Sequence, residues 1–141
     1  MKVSLYILFI LAAFVLAGAG CTRNDGDTGS WFGTWKLVSI TSAGGNIAQL
    51  EATVIVRFQN DIIQTSEQVG HHESMDYYAT WKTSGGKLII DGVNKSIAPA
   101  LLLPADSVVE LEIVRQPGSV MVWMYIDENR NAIEYNLKRL Y

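Results

Sequence analysis

The sequence predicts an all-β domain over residues 31–141, an antiparallel up-and-down barrel of about eight strands, with a two-sheet sandwich as the alternative. Three observations carry this. Every local signal in the region is an aromatic or β-branched run or a turn cluster. The links between runs are mostly too short for the crossovers that parallel strands need, so neighbours in sequence run antiparallel. No amphipathic stretch of helical length interrupts them, only a single helical turn at Ile47–Ala52. A meander of this size removes its exposed edges by closing on itself.

In chain order, Thr34–Ile40 (TWKLVSI) opens the domain and stops at Ser42-Ala43-Gly44-Gly45. Thr53–Phe58 follows, then a tight turn at Asn60-Asp61, then Ile62–Ser66. Met75–Thr83 is joined through Ser84-Gly85-Gly86 to Lys87–Asp91, with glycine supplying the positive φ of a hairpin turn. Val109, Leu111 and Ile113 alternate with Glu110 and Glu112, one buried face and one wet face. Gln116–Ser119 turns the chain into Val120–Ile126, and Asp127–Asn131 turns it into Ala132–Leu140.

The first thirty residues predict location. Lys2, an apolar run from Leu5 to Leu16 and the small residues Ala17-Gly18-Ala19-Gly20 have the layout of a secretory signal. The run is shorter than the ~20 residues that a membrane-spanning helix requires. Residues 1–20 are therefore expected to be a removed signal peptide. The Ala19-Gly20-Cys21 junction resembles the bacterial lipobox, which implies a diacylglycerol thioether on Cys21, cleavage before it and acylation of the new amino group. Gly18 stands where that motif usually has an aliphatic residue, and Ala17-Gly18-Ala19 also fits ordinary signal peptidase, which would leave Cys21 a free thiol. Residues 22–30 (TRNDGDTGS) carry no large apolar side chain and read as a flexible tether. Its acids, Asp25 and Asp27, resemble a sparse version of the surface-export signals of Bacteroidetes lipoproteins, and Thr22 after Cys21 resembles outer-membrane sorting. The expected place is the cell envelope, lipid-anchored, on the periplasmic or surface face of the outer membrane.

Composition narrows the partners. Removal of Lys2 with the signal leaves ten basic residues against fourteen acids, a formal net charge of −4, which argues against nucleic acid. The 111 residues from Trp31 to Tyr141 suffice for one domain with a core. Cys21 is the single cysteine, so no internal disulfide supports it.

At the first strand, Trp31-Phe32-Gly33-Thr34-Trp35-Lys36-Leu37-Val38 contains G-x-W, carried by Gly33 and Trp35. Behind a lipoprotein linker and ahead of a strand meander, this resembles the opening of the lipocalin-like (calycin) lipoproteins of Bacteroidetes. The resemblance implies that Trp35 plugs the closed end of a barrel and that a basic residue from the last strand packs across it. Strand alternation puts Arg139 on the face of Tyr135 and Leu137, which makes it the expected partner of Trp35. It further implies a small hydrophobic ligand held in the barrel. The domain is shorter than a usual lipocalin, so a filled barrel serving an envelope complex, with a protein partner, stands as the second reading.

Phe58, Tyr77, Trp81 and Trp123 are the candidate lining of a ligand cavity, and core filling is the alternative fate of all four. His71-His72-Glu73 with Asp76 has metal-ligand chemistry, but adjacent histidines on a strand point to opposite faces, so the expected reading is a solvated turn and no metal. Ile97–Pro104 (IAPALLLP), broken by Pro99 and Pro104, suits neither an inner strand nor a helix. It is expected to cover one barrel end, with a lid or docking patch as the alternatives. No nucleophile elbow or phosphate loop is present, and the scattered acids Glu51, Glu67, Asp76 and Asp91 suggest solvated positions. The chain is expected not to be an enzyme and to need no cofactor.

Overall fold

A computed structural model describes residues 29–46, 50, 52–71 and 73–141. The signal, Cys21, most of the tether, His72 and most of the helical turn expected at 47–52 lie outside the described residues. The strands are β1 (Gly33–Ser42), β2 (Gly45–Asn46), β3 (Thr53–Gln59), β4 (Ile62–Val69), β5 (Glu73–Ser84), β6 (Lys87–Asp91), β7 (Val108–Arg115), β8 (Val120–Ile126) and β9 (Ala132–Arg139). Each pairs antiparallel with its neighbour, and β1 also pairs with β9. The eight long strands thus close an up-and-down barrel, not a sandwich, with the two-residue β2 clipped to the end of β1.

Closure follows from the alternation in the sequence. Trp35, Leu37, Val54, Val56, Phe58, Ile63, Leu88, Ile90, Leu111, Met121, Trp123, Tyr135 and Leu137 all point inward and are at most 2% exposed. Their neighbours on the same strands, such as Lys36, Glu110, Glu112 and Lys138, face water. A one-residue slip in any strand would exchange the two sets, so burial fixes the register.

An even number of long strands places the entry to β1 and the exit from β9 at one end, with the hairpins at Asn60-Asp61, Gly85-Gly86 and residues 116–119. This is the closed end. The other end, the mouth, carries the turn around Gly70 and His71, the turn at 127–131 and the long link from β6 to β7. That link contains the one helical turn of the described residues, a 3₁₀ turn at Pro99–Leu101. The sequence argued against any helix there. Pro99 sits at the first turn, where its missing N–H is no loss, and the turn ends at once with Leu102 in the left-handed region (φ 54°). Leu50 and Ala52, the described residues of the helical turn expected at Ile47–Ala52, are not helical.

The wall has two irregularities, one of them a register shift of β7 against β8 between Ile113 and Arg115. A bulge in β1 between Leu37 and Ser39 shifts its register against β9, and the β1–β3 ladder stops at Lys36–Ile55. Beyond it β1 pairs only with β9 and β2.

Candidate functional site: the aromatic barrel interior and its two covers

At the closed end the chain enters through Gly33, whose φ of +132° is open to glycine but rarely to other residues. A side chain there would meet the Tyr141 carbonyl oxygen at 2.8 Å. The turn lets Trp31 fold back, and its carbonyl accepts a 3.0 Å hydrogen bond from Trp35 Nε1. Trp35 is fully buried, and the Arg139 guanidinium lies 4.3 Å over its ring. The same guanidinium donates to the Gly118 carbonyl at 2.9 Å, to the Phe32 carbonyl at 2.7 Å and to the Ser30 carbonyl. One side chain therefore joins the last strand, the β7–β8 turn and the segment that leads in from the tether. Lysine, with a point charge in place of a planar fork, would not reach all of these.

In the same core, toward the closed-end hairpins, lies an aromatic layer. The Phe58 ring is 4.7 Å from Trp81 and 6.0 Å from Trp123, both edge to face, and Trp31 closes the group at 5.1 Å from Phe58 and 5.4 Å from Trp81. Edge-to-face contact suits the ring quadrupoles and adds to burial. Three of the four residues expected to line a cavity, Phe58, Trp81 and Trp123, are thus brought together. Tyr77 lies higher on β5, half-buried toward the mouth, with its hydroxyl donating to Met75 Sδ at 3.9 Å. Trp31 belongs to the layer although the sequence reading had not placed it there. The signal was available, since a large aromatic two residues before Gly33 must turn back on the barrel or stand in water.

The layer packs edge to face and holds one chemical irregularity. Trp81 Nε1 and Trp123 Nε1 are buried donors without an acceptor among the described residues. Trp123 is completely enclosed, 6.4 Å from the ring of Tyr135.

Tyr135 links this layer to the mouth. Its hydroxyl donates a buried 2.7 Å hydrogen bond to the Leu101 carbonyl, and burial pushes its pKa well above that of an ordinary phenol, which keeps the proton in place. The segment around Leu101 crosses the mouth as a lid. The Ala98 N–H donates to Thr65 Oγ1 at 2.9 Å and the Ala100 N–H to Glu67 Oε1 at 2.6 Å, both on β4. Ala98 and Leu101 are buried while Leu102 stands 47% exposed above them. The apolar 97–104 segment thus covers a barrel end, as its sequence suggested, and two β4 side chains and one β9 side chain hold it. Tyr135→Phe leaves the Leu101 carbonyl buried without a partner, which costs about 1–3 kcal/mol. Urea unfolding should show that loss, and amide exchange at Leu101 and Leu102 should accelerate more than exchange in β3 or β8. Equal protection in both proteins would mean the bond does not hold the lid.

The His71, Glu73 and Asp76 group lies at the mouth, beside a shallow surface dent of about 230 Å³ lined by Gln68, Gly70, His71, Glu73 and Ser74. Asp76 is exposed and takes hydrogen bonds from serine hydroxyls, first of all Ser66, which hold its carboxyl below the usual range. Among the described residues no three His, Cys, Asp or Glu side chains gather into a group that could hold a metal ion.

A closed eight-stranded antiparallel barrel, entered through G-x-W and covered by a tryptophan–arginine stack, has the lipocalin-like fold. The sequence matches no family model and no curated protein. Solved structures do resemble it. A lipocalin-like protein from Bacteroides uniformis superposes with a TM-score of 0.62 at 12% identity, over 79% of this chain and 100% of that one. An uncharacterized protein from Bacteroides eggerthii superposes with a TM-score of 0.58 at 12% identity, over 77% and 98%. At such identity the likeness is one of fold.

Proposed function

We propose that the chain is a non-catalytic, lipid-tethered protein of the bacterial cell envelope whose barrel takes a small, mainly apolar molecule bearing a hydrogen-bond acceptor. The observation that carries this reading is the pair of unpartnered indole donors, Trp81 Nε1 and Trp123 Nε1, in one aromatic layer. Each buried unpaired donor costs about 1–3 kcal/mol, and phenylalanine would fill either place without that loss. A core built for stability alone has no use for them. A carbonyl or carboxylate oxygen entering through the mouth, once the lid lifts, would satisfy both. The fold supports the reading, since barrels of this class suit apolar ligands, although fold alone does not assign one.

Titration of the full chain with fatty acids, haem, bile acids and polyaromatic compounds should shift its tryptophan fluorescence and raise its Tm with one of these classes. Trp123→Phe should weaken that binding about tenfold. A second reading, a filled barrel acting as an interaction module of an envelope complex, is favoured by the packing of Trp35, Phe58, Leu101, Leu111 and Met121, all at most 1% exposed. No response to any ligand class, together with loss of a co-purifying partner in Leu102→Asp, would replace the first reading by the second.

Anchoring at Cys21 is tested separately. Cys21→Ala should release the protein from membranes and abolish labelling by alkyne palmitate. A variant that stays membrane-bound would refute the lipid tether and leave the barrel reading untouched.

A further inference from the structure

The bulged seam of the barrel wall carries a feature unrelated to the interior. Where the β1–β3 ladder stops, a groove of about 540 Å³ opens on the outside of the barrel. Val38, Leu50, Ala52 and Leu140 give it an apolar floor, and Lys36 and Lys138 stand on its rim. Val38, the bulge residue, is 56% exposed and Leu140 45% exposed. Both are large apolar side chains that water meets directly.

The two lysines face each other across the β1–β9 ladder. Like charges directly opposite on adjacent strands repel, and the outward row through them, Val120–Lys138–Lys36–Ile55, contains no acid. The next acid on the outer face of β9, Glu134, is four residues away and accepts a hydrogen bond from Asn136. Neither lysine makes an ion pair or hydrogen bond among the described residues. Among the described residues, then, a protein with an acidic balance holds a pair of cations without a partner acid beside exposed aliphatic surface. The groove lies part-way up the wall, on the mouth side of the four β1–β3 pairs, between the link into β3 and the end of β9.

We infer that this seam groove binds one anionic amphiphile, a phospholipid of the membrane surface, with its phosphate between Lys36 and Lys138 and an acyl chain along Val38, Leu50 and Leu140. Charge complementarity selects the headgroup, and the apolar floor selects an occupant with a hydrocarbon chain over a bare anion. The site lies outside the barrel, so it stands or falls independently of what the interior holds.

The test is native mass spectrometry of the detergent-solubilised full chain with three probes: a short-chain phosphatidylglycerol, the phosphatidylcholine of the same chain length, and inorganic phosphate. One phosphatidylglycerol should bind, the phosphatidylcholine should bind about tenfold more weakly or not at all, and phosphate should neither bind nor compete at equal concentration. Lys36→Glu provides a diagnostic variant, because it turns a repelling cross-strand pair into an attracting one. Its Tm should hold or rise while phosphatidylglycerol binding falls about tenfold or more. Equal binding of the two lipids, displacement by phosphate alone, or a Lys36→Glu protein that binds as wild type would each overturn the assignment. If Lys36→Glu lowers the Tm, Lys138→Gln, which removes one cation without adding a charge, decides by the same binding readout.

Discussion

Trp35→Ala should destabilise the protein by about 3–5 kcal/mol in urea or thermal unfolding. The ring is completely buried, and its removal opens a cavity in the core and releases the bond to the Trp31 carbonyl. For a small domain this is a large share of a total stability of about 5–15 kcal/mol. Arg139→Ala should cost about 1–3 kcal/mol, from the stacked cation and from the hydrogen bonds to Gly118, Phe32 and Ser30, which are partly in water. The two losses should not add. With Trp35 gone the guanidinium has no ring to cover, so a double-mutant cycle should return a coupling of at least about 0.5 kcal/mol. Arg139→Lys separates charge from shape: it keeps the cation, cannot serve several carbonyls at once, and should recover less than half of the loss. Additive losses would show that Arg139 acts through its carbonyl bonds alone.

Gly33→Ala should cost about 2–4 kcal/mol, far more than a usual surface glycine. Two effects combine. The φ of +132° is strained for any residue with a Cβ, and the new methyl would come within 2.8 Å of the Tyr141 carbonyl oxygen and 3.0 Å of Arg139 Nη1. Relief requires the end of the chain to move, which breaks the bond that Tyr141 accepts from the Thr34 N–H and disturbs the arginine stack. Gly44→Ala is the control, because its nearest neighbour would be the Ser42 hydroxyl at 3.8 Å, and it should change stability by less than about 0.5 kcal/mol. Equal effects of the two substitutions would detach the glycine of the G-x-W motif from any special role.

How the barrel came to be legible in the sequence, and where legibility ended, follows from the range of the forces involved. Lys87–Asp91 and Val120–Ile126 were readable residue for residue because apolar runs bounded by turn residues are local signals. Two-residue alternation put Arg139 on the inner face with Tyr135 and Leu137. β4 runs on to Val69 and β5 begins at Glu73 although their facing ends are polar, since pairing across the hairpin, not burial, extends them. The lid's anchors were out of reach. Thr65 and Tyr135 look like ordinary strand residues, and their partners lie more than thirty positions away in an irregular segment. The lysine pair was hidden for a related reason: Lys36 and Lys138 come together only when the first strand meets the last.

The clamp at the closed end also sets how the protein bears load. A pull on the chain ahead of Ser30 runs lengthwise along β1, whose hydrogen bonds to β3 and β9 lie across the direction of force. Those bonds would be sheared together instead of peeled one by one, and the Arg139 bonds to Ser30 and Phe32 would take the strain before any of them. A domain drawn from that end resists as a unit, while the lid at the far end, held by three side-chain bonds, stays outside the line of tension.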